Sequence, residues 1–317
     1  MDQEKDKLSI ATAKLYYESH YSQQEICDKL GISRPTVSRL LQYAKDKGYV
    51  QIQVINPFED ENQLAEELKE KFNLNQVFVT FAPVDKYSEI VKSITTCAAE
   101  YLDETVTDGD IIGVSWGVTL NALAQKIQSK NVTDVQVVQL KGGMSHSRTQ
   151  THAVETVNLF AQAYHSLPNY LHLPVVFDQK EVKDFVSEDR HIQRIIQLGK
   201  DTNIAVFTVG SAGSDSLLFK LGYFNETETA TLQEKAVGDL CSRFIDADGN
   251  ICNEAVNNRT VGIELADLKN KEQSVLVAGG DHKVDAITAA LNGEYANILV
   301  TDQFTAKKLV TNDERKF

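Results

Sequence analysis

One lysine in the sequence occupies a position at which an amine can do chemistry. Lys141 follows the apolar run 137–140, at the end of a predicted buried strand, and Gly142 and Gly143 come directly after it. An amine at that point either neutralises a phosphate or reacts with an aldehyde, because burial lowers the pKa of lysine and the neutral amine forms Schiff bases. In the alternative interpretation the strand has already ended, and Lys141 reaches solvent along its apolar stem.

Glycine-rich segments also follow other predicted strands. Glycine lets backbone amides approach a ligand closely, and the N-terminus of a following helix favours an anion. For a single loop, a plain turn from strand to helix is the simpler explanation, but several such loops in one sheet favour a phosphorylated small ligand. The candidate phosphate contacts are Ser115, Gly117, Gly279, Gly280 and Lys283.

Two further motifs suggest other chemistry. The segment GVSWG (113–117) fits the G-x-S-x-G pattern, in which Ser115 would be a nucleophile with a partner such as His282. The sequence has no HGGG-type oxyanion motif, so a hydrolase is the weaker hypothesis. Asp246 and Asp248 resemble half of a calcium loop and are interpreted as turn residues, with Asp246 a candidate acceptor for a sugar hydroxyl. No metal and no cofactor is predicted.

Alternating strands and helices must position these residues. From about Gln76 onwards, short apolar runs alternate with amphipathic helices, which is typical of a parallel sheet covered on both faces. Ligands of such sheets bind beyond the carboxyl ends of the strands. The region 213–272 receives no assignment. The apolar runs are 76–81, 110–116, 135–143, 171–177, 203–213, 274–280 and 297–302, and the predicted helices are 87–105, 118–127, 151–165 and a stretch that ends at 200.

A different pattern, two capped helices around a tight turn, fills the segment Tyr21–Gly48 and follows a first packing helix predicted over 5–19. Ser22 and Glu25 predict a capping box, and Ser33 is the predicted N-cap of the next helix. Gly31 supplies the turn between the helices, and Gly48 ends the second one. This arrangement is the signature of a helix-turn-helix.

The second helix of this motif has two distinct faces. Its apolar side chains recur at helical spacing and are predicted to pack on the preceding helices. The opposite face is polar, with Arg39 most nearly opposite the core, and predicts contacts to DNA bases and phosphates. The alternative is a solvated helix in an ordinary helical protein. The candidate DNA contacts are Arg34, Thr36, Ser38, Arg39, Gln42 and Tyr43.

The length of 317 residues and the break in regular structure predicted at Asn56-Pro57 together indicate two domains. The alternating run 49–55 is a candidate strand of a wing or connector, and Asn56-Pro57 breaks it before an acidic amphipathic helix over 58–72. We therefore expect a DNA-binding domain over 1–57 and an α/β domain over 58–317.

Net charge is informative only when it is divided between the domains. The chain carries −13, which is unusual for a DNA-binding protein, but residues 1–53 hold eight Lys/Arg and seven Asp/Glu, a balance of +1. The remainder therefore carries −14. A module this weakly basic predicts an oligomer that presents several copies to DNA.

The expected location is the cytoplasm. The four cysteines contain no CxxC pair, which favours free thiols over a metal site or a disulfide framework. No apolar run approaches the ~20 residues of a membrane span, and the first ten residues do not resemble a signal peptide.

The order of these motifs resembles the SorC family of bacterial transcription regulators over nearly the whole chain. The motifs are SQQEICDKLGISRPTVSRLL, GVSWG, QLKGG, AGGDHKVDAITAAL and TDQFTA. The stretches ISRPTVSRLLQYAKDKGYVQI, VVQLKGG, LPVVF, LGYFNE and RTVGIEL are similar to the branch of that family that regulates deoxyribonucleoside catabolism. The resemblance implies a helix-turn-helix followed by a Rossmann-like α/β domain similar to glucosamine-phosphate deaminase and ribose-phosphate isomerase.

The resemblance also implies a homo-oligomer, a dimer or a tetramer, that represses an operator until a phosphorylated sugar releases it. For this branch the implied sugar is deoxyribose 5-phosphate, whose aldehyde would condense with Lys141. The residues alone leave open an activator, another sugar phosphate, and an isomerase or Schiff-base aldolase that carries a helix-turn-helix. An aldolase needs a proton-shuttling group beside its lysine, and the sequence offers only Asp246 for that role.

Overall fold

The chain forms two compact units, Met1–Glu59 and Asp60–Phe317, in a computed structural model that describes residues 2–51, 61–144, 151–213 and 216–311. The domain boundary predicted at residue 57 lies outside the described residues. So does most of the strand predicted over 49–55, of which only 49–51 are described, and these are not in a strand.

The N-terminal unit is a small helical domain. Its helices are α1 (Asp2–Ala13), α2 (Gln23–Leu30) and α3 (Arg34–Asp46), and a π-helical segment, Lys14–Glu18, continues α1. The predicted apolar face of α3 is buried against the other helices, which confirms the helical spacing inferred from the sequence. The buried residues of that face are Val37, Leu40, Leu41 and Ala44.

The predicted capping residues fix the turn between α2 and α3. The backbone N–H of Glu25 donates to Ser22 Oγ at 3.3 Å, and the N–H of Ser22 donates to Glu25 Oε2 at 2.8 Å, so the capping box is confirmed. Gly31 has the left-handed φ of 65° that a tight turn needs. Ser33 is the N-cap of α3, but its hydroxyl pairs with the Thr36 hydroxyl at 2.8 Å rather than with a backbone amide.

The second unit contains two sheets. The strands are β1 (Gln76–Thr80), β2 (Ile111–Val114), β3 (Gln136–Gln139), β4 (Pro168–Asn169), β5 (Ile204–Phe207), β6 (Val209–Ser211), β7 (Gly238–Leu240), β8 (Arg243–Ile245), β9 (Gln273–Val277) and β10 (Ile298–Asp302). The helices are α4 (Glu61–Phe72), α5 (Tyr87–Thr105), α6 (Val118–Ala124), α7 (Ala153–Ala163), α8 (Lys180–Ser187), α9 (Arg190–Lys200), α10 (Leu217–Lys220), α11 (Glu226–Lys235), α12 (Glu254–Asn257), α13 (Leu265–Lys269), α14 (Val284–Asn292) and α15 (Gln303–Thr311).

The main sheet has the order β1-β10-β9-β5-β2-β3-β4, and every neighbouring pair is parallel. Within β9, Leu276 belongs to the apolar cluster on one face, and Val275 and Val277 belong to the cluster on the other. Both faces are therefore covered, which confirms the predicted α/β architecture. Among the described residues, no helix is long and apolar enough to span a membrane.

One predicted strand was wrong. The apolar run 171–177 is not a regular strand, and the fourth strand is β4, just before it. The run makes only single bridges, Met144 with Pro174 and Val176 with Thr260. Pro174 lacks the amide that a central strand must donate, and this explains why the run does not extend the sheet.

The unassigned region contains a small antiparallel sheet of order β6-β7-β8. Because β6 begins one residue after Thr208, which follows β5, this sheet is attached directly to the carboxyl end of a central strand. It carries residues of the region 213–272 to the ligand-binding edge of the main sheet.

Candidate functional site

A cleft of about 580 Å³ opens at the carboxyl ends of the central strands. It is lined by residues that follow β2, β3, β5 and β9, where the strand order reverses between β2 and β5. Open α/β sheets bind ligands at such a point. The ionisable side chains that line the cleft are Tyr87, Lys141, His152, Lys220, Asp239, His282 and Lys283.

Lys141 is anchored in this cleft through its backbone and buried against Trp116. Its backbone forms an antiparallel bridge with Gly262, and the flanking N–H of Gly142 donates to Val261 O at 3.1 Å. The Nζ atom lies 3.8 Å from the ring centroid of Trp116, and the residue is only 5% exposed. This burial excludes the alternative interpretation, in which the lysine extends into solvent.

The surroundings of Lys141 shift its protonation. Burial lowers the pKa of Lys141, and the charges of Asp239 and Cys241 oppose this shift. Burial likewise raises the pKa of Asp239, opposed by Lys141 and by a hydrogen bond of 3.0 Å from the Ser242 N–H to Asp239 Oδ2. Burial in the cleft thus favours the neutral form of both groups, the amine of Lys141 and the carboxyl group of Asp239.

Sequence reasoning missed Asp239. It lies on β7, within the region that received no assignment, so its approach to Lys141 was not visible. An acidic residue inside the otherwise apolar run 236–241 was the available signal, because an unpaired carboxylate is rarely buried without a function.

The glycines at the strand ends serve packing more than anion binding. The N–H groups of Gly143 and Gly280 donate to Leu173 O at 3.0 Å and Thr305 Oγ1 at 2.7 Å, and that of Gly142 is also committed. A Cβ on Gly142 would lie 2.1 Å from Pro174 O, and one on Gly279 would lie 2.5 Å from Asp302 Oδ2. Of the predicted phosphate contacts, only Gly117 and Lys283 line the cleft.

Two other predicted site residues lie outside the cleft lining. Asp246 forms a turn, in which its Oδ1 accepts from the N–H groups of Asp248 at 3.0 Å and Asn250 at 2.9 Å. Asp246 therefore shapes this turn, and the sugar contact predicted for it stays a prediction. Ser115 is buried, its N–H donates to Val206 O at 3.0 Å, and its hydroxyl has no hydrogen-bond partner among the described residues. It is not presented to the cleft as a nucleophile.

The backbone around Lys141 makes one stability prediction. Gly262 has a φ of 133°, and a Cβ there would lie 2.4 Å from Leu140 O. We expect Gly262→Ala to lower the free energy of unfolding by at least about 2 kcal/mol, because strained backbone and overpacking add. Urea unfolding of the full chain measures this loss. Gly109→Ala is the control, since Gly109 has a φ of 83° with nothing within 4 Å, and an equal loss in both variants would contradict the close contact.

The exposed face of α3 carries most of the predicted DNA contacts. Arg34, Ser38, Arg39 and Gln42 are exposed, and Thr36 is partly so. Tyr43 differs, because it is half-buried and its hydroxyl donates to Asp6 Oδ1 at 2.9 Å. Tyr43 therefore connects α3 to α1, and in this structure its hydroxyl is engaged with Asp6, although a contact to DNA was predicted for it.

The fold and these two surfaces define a class of protein, the transcription regulators that join a helix-turn-helix to a ligand-binding α/β domain. Family models agree with this division. The model of a "Putative sugar-binding domain" matches residues 56–311, and that of the MarR family matches residues 16–54.

Individual relatives identify the family. The chain is 58% identical to the deoxyribonucleoside regulator of Bacillus subtilis, over 98% of this chain and 100% of that one. It is 30% identical to the sorbitol operon regulator of Klebsiella pneumoniae, over 96% and 98%. The crystal structure of that full-length regulator, SorC, matches with a TM-score of 0.78 at 28% identity, over 96% of this chain and 98% of that one. The chain belongs to the SorC family of sugar-binding transcriptional regulators, and it is a regulator rather than an enzyme.

Proposed function

We propose that this protein represses genes of deoxyribonucleoside catabolism and is released from its operator by deoxyribose 5-phosphate, bound covalently to Lys141 as a Schiff base. The observation that carries the proposal is a buried lysine of lowered pKa beside a buried carboxyl group in the cleft. The name of the 58%-identical relative supports the choice of effector.

The proposed reaction consumes one amine and one aldehyde. The neutral Nζ of Lys141 adds to C1 of the open-chain sugar, and the carbinolamine then loses its hydroxyl group as water to leave the imine. Asp239 is the acid that protonates the departing hydroxyl, and the proton lost from nitrogen restores it. Lys283, whose Nζ lies 3.4 Å from Thr208 Oγ1, is a counter-charge for the 5-phosphate.

The sugar can release the protein from DNA only if it binds one arrangement of an oligomer more tightly than another. We propose that the helix-turn-helix units, residues 1–57, pair on successive major grooves in a dimer or tetramer. The sugar, bound to the effector domain 58–317, favours an arrangement in which the paired units no longer match the operator. The reversal of strand order at the cleft supports a further proposal, that this Rossmann-like domain is related to glucosamine-phosphate deaminase and ribose-phosphate isomerase folds.

Two experiments test the proposal. A gel shift on the DNA upstream of the regulated genes should show a complex that deoxyribose 5-phosphate dissolves and that other sugar phosphates leave intact. Borohydride reduction in the presence of the sugar, followed by peptide mass analysis, should place one adduct on Lys141. Release by a different sugar phosphate would instead assign the protein to another effector of the SorC family.

The rate of adduct formation should rise with pH at a lower pH than that at which an exposed lysine loses its proton, and it should fall again where Asp239 loses the proton that it donates to the departing hydroxyl. The reason is that only the neutral amine adds to the aldehyde and burial lowers the pKa of Lys141 from the usual value of about 10.4. Reductive trapping with cyanoborohydride from about pH 6 to about pH 10 measures the profile. If the rising part of the profile has the same midpoint as that of Nα-acetyllysine, whose side-chain amine is free, the lowered pKa is contradicted.

Asp239→Asn should slow adduct formation by about 100-fold, the typical contribution of a general acid, while the extent of adduct at equilibrium changes little. Asparagine keeps the shape of the buried side chain but cannot release a proton to the departing hydroxyl. Time-resolved trapping separates the two quantities, because a purely structural role would lower the equilibrium extent along with the rate. Glu234→Gln is the control, since Glu234 is an exposed acid of α11 that lies outside the cleft lining.

A further inference from the structure

A second cleft lies beside the segment that pairs with the backbone of Lys141. It has a volume of about 610 Å³ and is formed by α8, α9 and the segment Val261–Gly262. Gly262 lines this cleft, and its backbone pairs with Lys141, which lines the first one. A Cβ on Gly262 would lie 2.6 Å from Lys141 Cα, so the two clefts are separated by one layer of backbone.

The second cleft is strongly cationic in a chain of net charge −13. Its basic side chains are Lys183, Arg190, Arg194 and Lys200. Arg190 and Arg194 are four residues apart on α9, so their like charges share one face of the helix and repel each other. Gln193 and Gln197 add neutral donors to the same cleft.

The cations of α9 lack counter-ions within the described part of the chain. Arg190, Arg194 and Lys200 make no ion pair there. The acids around the cleft are already paired, Asp184 with Lys180 and Lys183, and Glu264 with Arg243 at 2.8 Å. These three exposed cations line the cleft with one acid, Glu264, which is already paired with Arg243. An anion from outside the chain can bridge them, because arginine forks match phosphate oxygens.

A buried arginine connects this cleft to the first one. Arg243 is 1% exposed and binds Glu264, which lines the second cleft, and the carbonyl groups of Ile263 at 2.8 Å and Gly262 at 3.3 Å. The adjacent N–H of Ser242 donates to Asp239 in the first cleft. A ligand that moves Glu264 or Gly262 therefore acts on the backbone that pairs with Lys141 and, through Arg243 and Ser242, on Asp239.

We infer that the cleft between α8 and α9 is a second, regulatory site for a small anion that carries more than one phosphate group, and that its occupancy alters the reactivity of the Lys141 cleft. The binding part stands independently of the proposed function, and the coupling part rests on it. The ligand needs several charges because three unpaired cations face it, and its size is limited by a volume typical of small-molecule sites.

Isothermal titration of the full chain with inorganic tripolyphosphate tests the binding. We expect saturable binding to one site per chain that Arg190→Ser/Arg194→Ser weakens by at least about tenfold. Lys235→Ser/Lys307→Ser removes the same charge from exposed positions of other helices and should leave binding unchanged. Loss of binding in Lys283→Gln, with retention in the double arginine variant, would place the anion in the first cleft and overturn the inference.

Two further measurements complete the test. Saturating tripolyphosphate should change the rate of Lys141 trapping by deoxyribose 5-phosphate at least about threefold, a typical small coupling, and no change would overturn the regulatory role. The alternative occupant of the cleft is an acidic surface of a second copy of this chain, a contact in which the exposed Val182 and Phe185 of α8 would also be covered. Light scattering, which measures the oligomeric mass, tests this alternative. A change of oligomeric mass in the double arginine variant, with no binding of tripolyphosphate to the parent, would assign the cations to that interface.

Discussion

Replacement of Lys141 by methionine should abolish the covalent adduct and leave the operator occupied at every concentration of deoxyribose 5-phosphate. Methionine keeps an unbranched apolar side chain beside Trp116, but it has no primary amine, without which no Schiff base forms. The adduct is measured by borohydride reduction and peptide mass analysis, and operator release by gel shift.

Lys271 provides a matched control for this variant. It is also a buried lysine whose pKa is lowered by burial, and its Nζ donates to Gly199 O at 3.4 Å, outside the Lys141 cleft. Lys271→Met should retain the adduct and the release. An adduct of unchanged yield in Lys141→Met would show that another amine reacts, and unchanged release without an adduct would reduce Lys141 to a counter-ion.

Arg39→Ala should weaken operator binding by at least about 100-fold. A bidentate contact from arginine to a base contributes about 1–3 kcal/mol, and on a two-fold operator the substitution removes the contact twice. Arg39 is exposed on α3, opposite the buried face of that helix, so its removal leaves the packing of the unit intact. Fluorescence anisotropy with labelled operator DNA at fixed salt measures the change.

The comparison variant is Lys7→Ala, which removes a positive charge from the exposed surface of α1 in the same unit. It should reduce binding only slightly, since a single phosphate contact changes affinity much less than a base contact does. Arg39→Ala should form the Lys141 adduct at the parent rate. Loss of both DNA binding and adduct formation would argue against independent modules.

Much of this fold could be predicted because it depends on interactions between residues that are close in sequence. The capping box of Ser22 and Glu25 and the left-handed Gly31 are interactions within a few residues, and both are present. The alternation of buried strands and helices predicted the parallel sheet, because that pattern has few other solutions. The run 171–177 was wrongly predicted to be a strand, because its apolar composition does not reveal that Pro174 has no amide to donate.

The site was harder to predict because it depends on contacts distant in sequence. Lys141 was found from its position at a strand end, but Asp239 approaches it through the antiparallel sheet β6-β7-β8, whose pairing no local pattern indicated. The lack of room for a side chain at Gly142 and Gly279 was not predicted, because it depends on Pro174 and Asp302, which are distant in sequence. The amides of the glycines were assigned to a phosphate because the sequence does not show that Gly143 and Gly280 donate to protein acceptors.

The contact between Lys141 and Trp116 also places a fluorescent side chain at the proposed site of reaction. Trp116 is the one tryptophan in the chain, so its ultraviolet emission is free of background from other indoles. The amine lies against its ring, and conversion to an imine changes the charge and polarity at that face. If the proposed Schiff base forms, occupancy of the cleft should change the intrinsic fluorescence of Trp116, which is measured without a dye or label and in the presence of DNA.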